Sequence, residues 1–190
     1  MTKGRIEKKF VYQEGDDSYK FFLINGMFKK LYPDRTINSL YFDTDDLKNV
    51  WDNINGFSDR LKIRLRWYNN INNSEVFIEE KIKKNITTIK KVKSIGTFSS
   101  FNELNEFINS KKFIFHNFII DKKINLKKTI LVSYNRKYFQ DTFKKLRVTL
   151  DKNIKVYFKY PTKVINIDKN ILELKFSPKN FSYCNNFIAN

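Results

Sequence analysis

The sequence predicts an α+β fold built around a β-sheet with one charged and one apolar face. Polar and apolar residues alternate with the period of a strand in segment after segment, and only three stretches carry helical spacing. No internal repeat and no linker rich in Gly, Pro or Ser divides the 190 residues, so a single domain over 1–190 is expected.

The strongest alternation is Arg60-Leu61-Lys62-Ile63-Arg64-Leu65-Arg66-Trp67-Tyr68. Successive strand side chains point to opposite faces, so Arg60, Lys62, Arg64 and Arg66 share one side, with Leu61, Ile63, Leu65 and Trp67 on the other. Cations so aligned repel one another unless an anion lies across them, and a polyanionic ligand is the simplest remedy. The same period marks Arg5 to Tyr12, Asn38 to Asp43, Glu75 to Lys83, Ile130 to Phe139, Leu146 to Asp151 and Ile171 to Phe176. Glu79, Lys81 and Lys83 fall together, while Glu80 interrupts the apolar side. Asn69 to Ser74 reads as a polar hairpin loop.

Helices are expected over Asp17 to Leu31, ended before Pro33, and over Asp45 to Ile54 with Thr44 as N-cap. A third, Ser100 to Ser110, has Phe101, Leu104, Phe107 and Ile108 on one face and Ser99 or Ser100 as cap. These helices could cover the apolar strand faces. From periodicity alone, an open sheet with a solvated charged face is favoured over a barrel lined by charge.

Formal net charge is +17, from 37 Lys and Arg against 20 Asp and Glu, which favours phosphate-bearing or otherwise anionic partners. Lysine pairs such as Lys29-Lys30 and Lys127-Lys128 read as solvated surface in a chain crowded with Lys, Asn and Ile. No nucleic-acid partner is expected, because the cations alternate along strands instead of lining a helix or an aromatic platform. The lone cysteine, Cys184, cannot form an internal disulfide, which fits a reducing, cytoplasmic setting. No secretory signal is read in the charged Met1 to Lys9. The apolar run Phe113 to Ile120, broken by His116 and Asn117, is too short to span a membrane. His116 reads as an ordinary core or surface histidine.

Taken in order, Arg5-Ile-Glu7-Lys-Lys9-Phe, Ser39-Leu-Tyr-Phe-Asp43-Thr, Lys62-Ile-Arg64-Leu-Arg66, Phe77-Ile-Glu79-Glu-Lys81, Tyr134-Asn-Arg136, Leu-Arg147-Val-Thr149-Leu-Asp151 and Ile-Leu-Glu173-Leu-Lys175-Phe resemble the VTC domain. This is the polyphosphate polymerase branch of the triphosphate tunnel metalloenzymes, related to the CYTH proteins. The resemblance implies a closed, antiparallel, eight-stranded β-tunnel with a polar, basic lumen and helices packed outside. It implies transfer of the ATP γ-phosphoryl group to a growing polyphosphate chain, with Mn²⁺ or Mg²⁺ as cofactor. Lys9, Arg64, Arg66, Lys81, Arg136 and Arg147 would then be the central phosphate ligands. Arg60, Lys62, Lys83, Lys91, Lys175 and Ser182 would be further phosphate contacts. Glu173 would hold the metal, with Glu79 and Glu7 as further metal carboxylates or as ion-pair partners of the cations. Family members often sit in membrane-associated assemblies, which here would require a partner protein.

Two positions depart from the family pattern. Arg5 stands where tunnel phosphatases usually have the first Glu of Glu-x-Glu-x-Lys. Phe181-Ser182-Tyr183-Cys184 lacks the lysine of the usual Ser-Lys-Tyr, with Lys179 as a substitute cation. The chemistry agrees with side-chain binding of phosphate: the chain has only five glycines and no Gly-x-x-x-x-Gly-Lys backbone cradle. Arginine offers a rigid fork for phosphate, and a hard divalent cation prefers carboxylate oxygen. A metal-dependent tri- or polyphosphatase, and a tunnel that binds polyphosphate without turnover, remain the alternatives.

Overall fold

The structure, a computed structural model, describes residues 5–13, 27–84, 87–110, 126–158 and 163–189. Its strands are β1 (Ile6–Tyr12), β2 (Phe28–Asp43), β3 (Arg60–Tyr68), β4 (Ser74–Lys84), β5 (Thr87–Phe98), β6 (Lys127–Asp141), β7 (Leu146–Phe158), β8 (Lys163–Ile167) and β9 (Asn170–Phe176). The helices are α1 (Lys48–Ile54), α2 (Phe101–Asn109) and α3 (Phe181–Ala189), the last preceded by a 3₁₀ turn at Pro178–Asn180. Hydrogen-bonded neighbours run β1-β9-β7-β6-β2-β3-β4-β5, with β8 on β7.

This order corrects the closed tunnel. Among the described residues no pairing joins β5 to β1, so the sheet is open. Alternation tells which side of a strand is polar, whereas closure depends on strand number, tilt and stagger, which alternation does not encode. The open sheet favoured by periodicity alone is the one observed.

The chain divides into two compact units, one drawn from 1–36, 133–155 and 165–190, the other from 37–132 and 156–164. In the first, β9 lies between β1 and β7, both antiparallel to it, with Lys9 opposite Glu173 and Thr149 opposite Glu173 on the other side. The alternate residues Leu146, Val148, Leu150, Leu174 and Phe176 form a buried layer with Phe28. Helix α3 covers that layer through Cys184, which is fully buried, and Tyr183 packs beside it. Burying such side chains stabilises by about 1.5–3 kcal/mol each, which is why the apolar faces select the helices as cover.

In the second unit β3 pairs with β2 and β4, and β4 with β5, all antiparallel. Ile63, Leu65, Trp67, Val76 and Ile78 make the buried layer. Helix α2 seals it with Leu104, and Phe101 and Phe107 meet Trp67 and Phe98 at ring distances of 6.2 and 5.3 Å. Ser100 caps α2 by accepting from the Glu103 amide at 3.2 Å, while the Glu103 carboxylate accepts from the Ser99 amide at 2.7 Å.

Other readings change in detail. The helix expected over Asp17 to Leu31 is strand from Phe28 onward; 14–26 lie outside the described residues, as does the run around His116. Short apolar runs satisfy both periods, and Pro33 keeps a φ compatible with extended chain. The helix expected from Asp45 begins at Lys48. Buried Asp43 accepts from the amides of Asn49 and Val50 at 2.9 and 3.0 Å, and the Thr44 hydroxyl accepts from the Lys48 amide at 3.0 Å. Strands β5 and β8 were not legible. In β5 the pairing slips between Val76 and Phe77, opposite Gly96 and Ser94, and Gly96 has φ +127°, a conformation that glycine permits.

Candidate phosphate-binding faces

The second unit carries the denser array of cations. In register, Lys62 lies opposite Lys81, and Lys81 opposite Lys90, so three ammonium side chains form a row across β3, β4 and β5. In the adjacent row Arg64 faces Glu79, with Tyr41 on the other side of Arg64. Glu79, only 5% exposed, accepts from Arg64 Nε and Nη2 at 2.8 and 2.6 Å and from Lys90 Nζ at 2.9 Å; Arg66 Nη1 lies 3.6 Å away. Arg64 also donates to the Tyr41 hydroxyl at 3.0 Å, and Arg66 donates to Ser39 Oγ at 3.2 and 3.3 Å. Part of the anion demanded by the β3 cations is thus supplied by the protein itself, through Glu79.

Burial alone would raise the Glu79 carboxyl, but Arg64, Arg66 and Lys90 outweigh it and hold the group down at about 2. Burial acts likewise on the Tyr41 hydroxyl, and Arg64 and Arg66 again prevail, lowering it from its ordinary value. Because the folded carboxyl titrates below its unfolded value of 4.5, its stabilisation is fully present above about pH 4.5 and is lost as pH falls toward 2. Urea unfolding should therefore lose about 3 kcal/mol across that window. The Glu79→Gln variant should show a clearly flatter acid limb; an unchanged limb would assign the acid sensitivity elsewhere.

The first unit carries a face of mixed sign. Arg136 on β6 forks onto Asp151 on β7, with Nε and Nη2 at 2.6 Å from the two carboxylate oxygens. The same Nη2 lies 3.8 Å from Glu173, which also meets Lys175 at 2.9 Å and Lys9 at 3.7 Å. Lys175 is 4.0 Å from Glu7 and in register with Arg147. Burial would raise the Glu173 carboxyl, yet Lys175, Lys9 and Arg136 lower it below the ordinary range. Arg136 is pushed up: burial opposes its charge, and Asp151 and Glu173 more than compensate.

The expected site residues therefore fall into two groups. Arg64, Arg66, Lys62, Lys81 and Glu79 share one face of the second unit, with Arg60 opposite Lys83 at its end. Lys9, Arg136, Arg147, Lys175, Glu173 and Glu7 share one face of the first. Lys91 is in register with Glu80, on the side of Ile63 and Ile78, so the neighbouring Lys90 occupies the place expected for it. Ser182 is exposed on α3, the helix that covers the apolar layer. Tyr183 beside it donates to Asp141 at 2.9 Å. Asp151, Tyr41 and Lys90 join the faces without having been assigned a role from sequence.

Among the described residues no three His, Cys, Asp or Glu side chains converge on a metal position. Glu173 is a carboxylate suited to a hard cation that keeps its waters and takes only one or two carboxylates, whereas both Asp151 oxygens are engaged by Arg136.

The fold and these faces define a class: an open antiparallel sheet in which each unit has a face of arginines and lysines interleaved with carboxylates. Over residues 4–189 the chain matches the VTC domain family, and it belongs to that family, as the motifs indicated. No curated protein matches it. Among the solved structures that share its fold are the following three. A candidate adenylate cyclase from Bacillus halodurans is 14% identical, with a TM-score of 0.56 over 96% of this chain and 85% of that one. The PH1819 protein of Pyrococcus horikoshii OT3 is 13% identical, with a TM-score of 0.51 over 97% and 86%. A candidate adenylate cyclase from Vibrio parahaemolyticus is 9% identical, with a TM-score of 0.50 over 95% and 82%. At such identities the likeness is one of fold. Among the described residues no helix is long and apolar enough to cross a membrane.

Proposed function

We propose that the chain is a metal-dependent phosphotransferase that moves the ATP γ-phosphoryl group onto inorganic polyphosphate. The observation that carries this reading is the cross-strand row Lys62, Lys81 and Lys90 beside Arg64 and Arg66, in a chain of the VTC family. Like charges placed opposite one another repel; Glu79 already meets Lys90, and multiply charged phosphate along the row would lower the repulsion further. Phosphoryl transfer asks little covalent chemistry of a protein and much positioning and charge neutralisation, which such a row supplies.

On the first unit, Glu173 would hold Mn²⁺ or Mg²⁺, whose contribution when bound is to neutralise charge on phosphate oxygens. Arg136 orients Glu173 and Asp151, and Lys9, Lys175 and Arg147 complete a face that attracts phosphate. A cytoplasmic setting suits a chain whose lone cysteine, Cys184, is buried. Any association with a membrane would run through a partner protein.

The test is to incubate purified protein with ATP and Mn²⁺ and to size the phosphate products on a gel. Chains longer than three phosphates support polymerisation; free phosphate alone supports a hydrolase. Glu173→Gln should leave tripolyphosphate binding within about twofold and suppress turnover, and retained turnover would move the metal from Glu173. One observation favours binding without turnover as the second reading. Ser182 lies on the helix covering the apolar layer, away from the face of Glu173. That reading predicts tight binding of polyphosphate and no release of ADP.

A further inference from the structure

We infer that Tyr32, Arg35 and Tyr138 form a stacking subsite for the base of a nucleoside triphosphate; this rests on the phosphate-binding role proposed for the first unit. The Arg35 guanidinium lies 5.4 Å from the Tyr138 ring centre and 5.7 Å from that of Tyr32. The two rings meet edge to face, 5.5 Å apart at 88°. None of the three belongs to the buried apolar layer of this unit, and Tyr32 is 44% exposed.

Packing alone does not account for this group. An aromatic pair that serves a core is covered by apolar neighbours, whereas here a cation lies beside both rings and one ring is exposed. A planar base is recognised by this combination of an accessible aromatic face and a stacked guanidinium. The position relative to the charged face also fits. Tyr138 follows Arg136 by two residues on β6, so the two side chains point the same way about 7 Å apart. That spacing is on the order of the ribose separating a base from its α-phosphate. Stacking does not read base edges, so adenine and guanine should be accepted alike.

The experiment titrates the purified full chain with ATP, GTP and inorganic tripolyphosphate in EDTA, by calorimetry. In Tyr32→Ala, ATP and GTP should each bind about tenfold more weakly, with tripolyphosphate within about twofold. Tyr32→Phe keeps the ring and should bind all three ligands as the parent does. Arg35→Lys keeps the charge without the planar stack and should reproduce the selective loss. Equal weakening of all three ligands in Tyr32→Ala, or unchanged nucleotide binding, would overturn the subsite. Tripolyphosphate failing to bind the parent protein, while ATP binds through Tyr32, would overturn the phosphate reading and leave this one standing.

Discussion

Replacing Arg64 and Arg66 together by alanine should lower folding stability by about 3–5 kcal/mol in addition to removing phosphate binding. Both side chains lie off the apolar layer, so their cost to folding comes through the carboxylate they meet. Glu79 is 5% exposed, takes two hydrogen bonds from Arg64 and has Arg66 within 3.6 Å. Without them the carboxylate stays buried with Lys90 as its remaining contact among those described above. The informative variant therefore adds Glu79→Gln. The triple variant should recover most of the lost stability in urea while still failing to bind tripolyphosphate. If it binds normally, Arg64 and Arg66 are structural partners of Glu79 and not ligands. A double variant as stable as the parent would refute the ion-pair argument.

A comparable loss is expected for Arg136→Met, about 3–5 kcal/mol. Asp151 and Glu173 have side chains only 7% and 5% exposed, and Arg136 neutralises the first through both ends of its fork. Arg136→Lys keeps the charge and loses the bidentate geometry, so it should recover only part of the difference. Pairing Arg136→Met with Asp151→Asn removes the uncompensated charge and should restore stability toward the parent. A double-mutant cycle measured by urea unfolding gives the coupling directly. A single-variant loss below about 1 kcal/mol would mean that the fork is effectively solvated.

The sequence made much of this arrangement legible because strand parity is a local property. Arg60 to Tyr68 declares its two faces residue by residue, and the register pairs Arg64 with Glu79 on the expected side. The Ser100 cap and the apolar stripe of α2 were equally local. What could not be read depends on pairing over distance. Lys90 and Lys91 differ by one position, which exchanges the two faces, and the slip near Gly96 shifts the pairing of β5. Lys91 and Lys93 fall on the apolar side of the register, so β5 lacks the clean alternation that marks its neighbours. Lysines along an edge strand discourage pairing with a further chain, at the expense of a readable pattern. Asp151 and Tyr41 stood inside recognised motifs, but only the folded geometry shows which guanidinium each one meets. Closure of the sheet was the largest error, and it lies in global shear, beyond what any single strand records.

Arg64 and Arg66 on one face and Arg136 on the other are already engaged by carboxylates, so an anion arriving at them must exchange places with one. A monovalent oxyanion swaps one contact for another and gains little. A ligand with several linked charges forms its second contact intramolecularly, at a high effective concentration, and can tip the exchange. If the faces take phosphate as proposed, the built-in carboxylates would act as a threshold that discriminates by valence, favouring chains over simple anions.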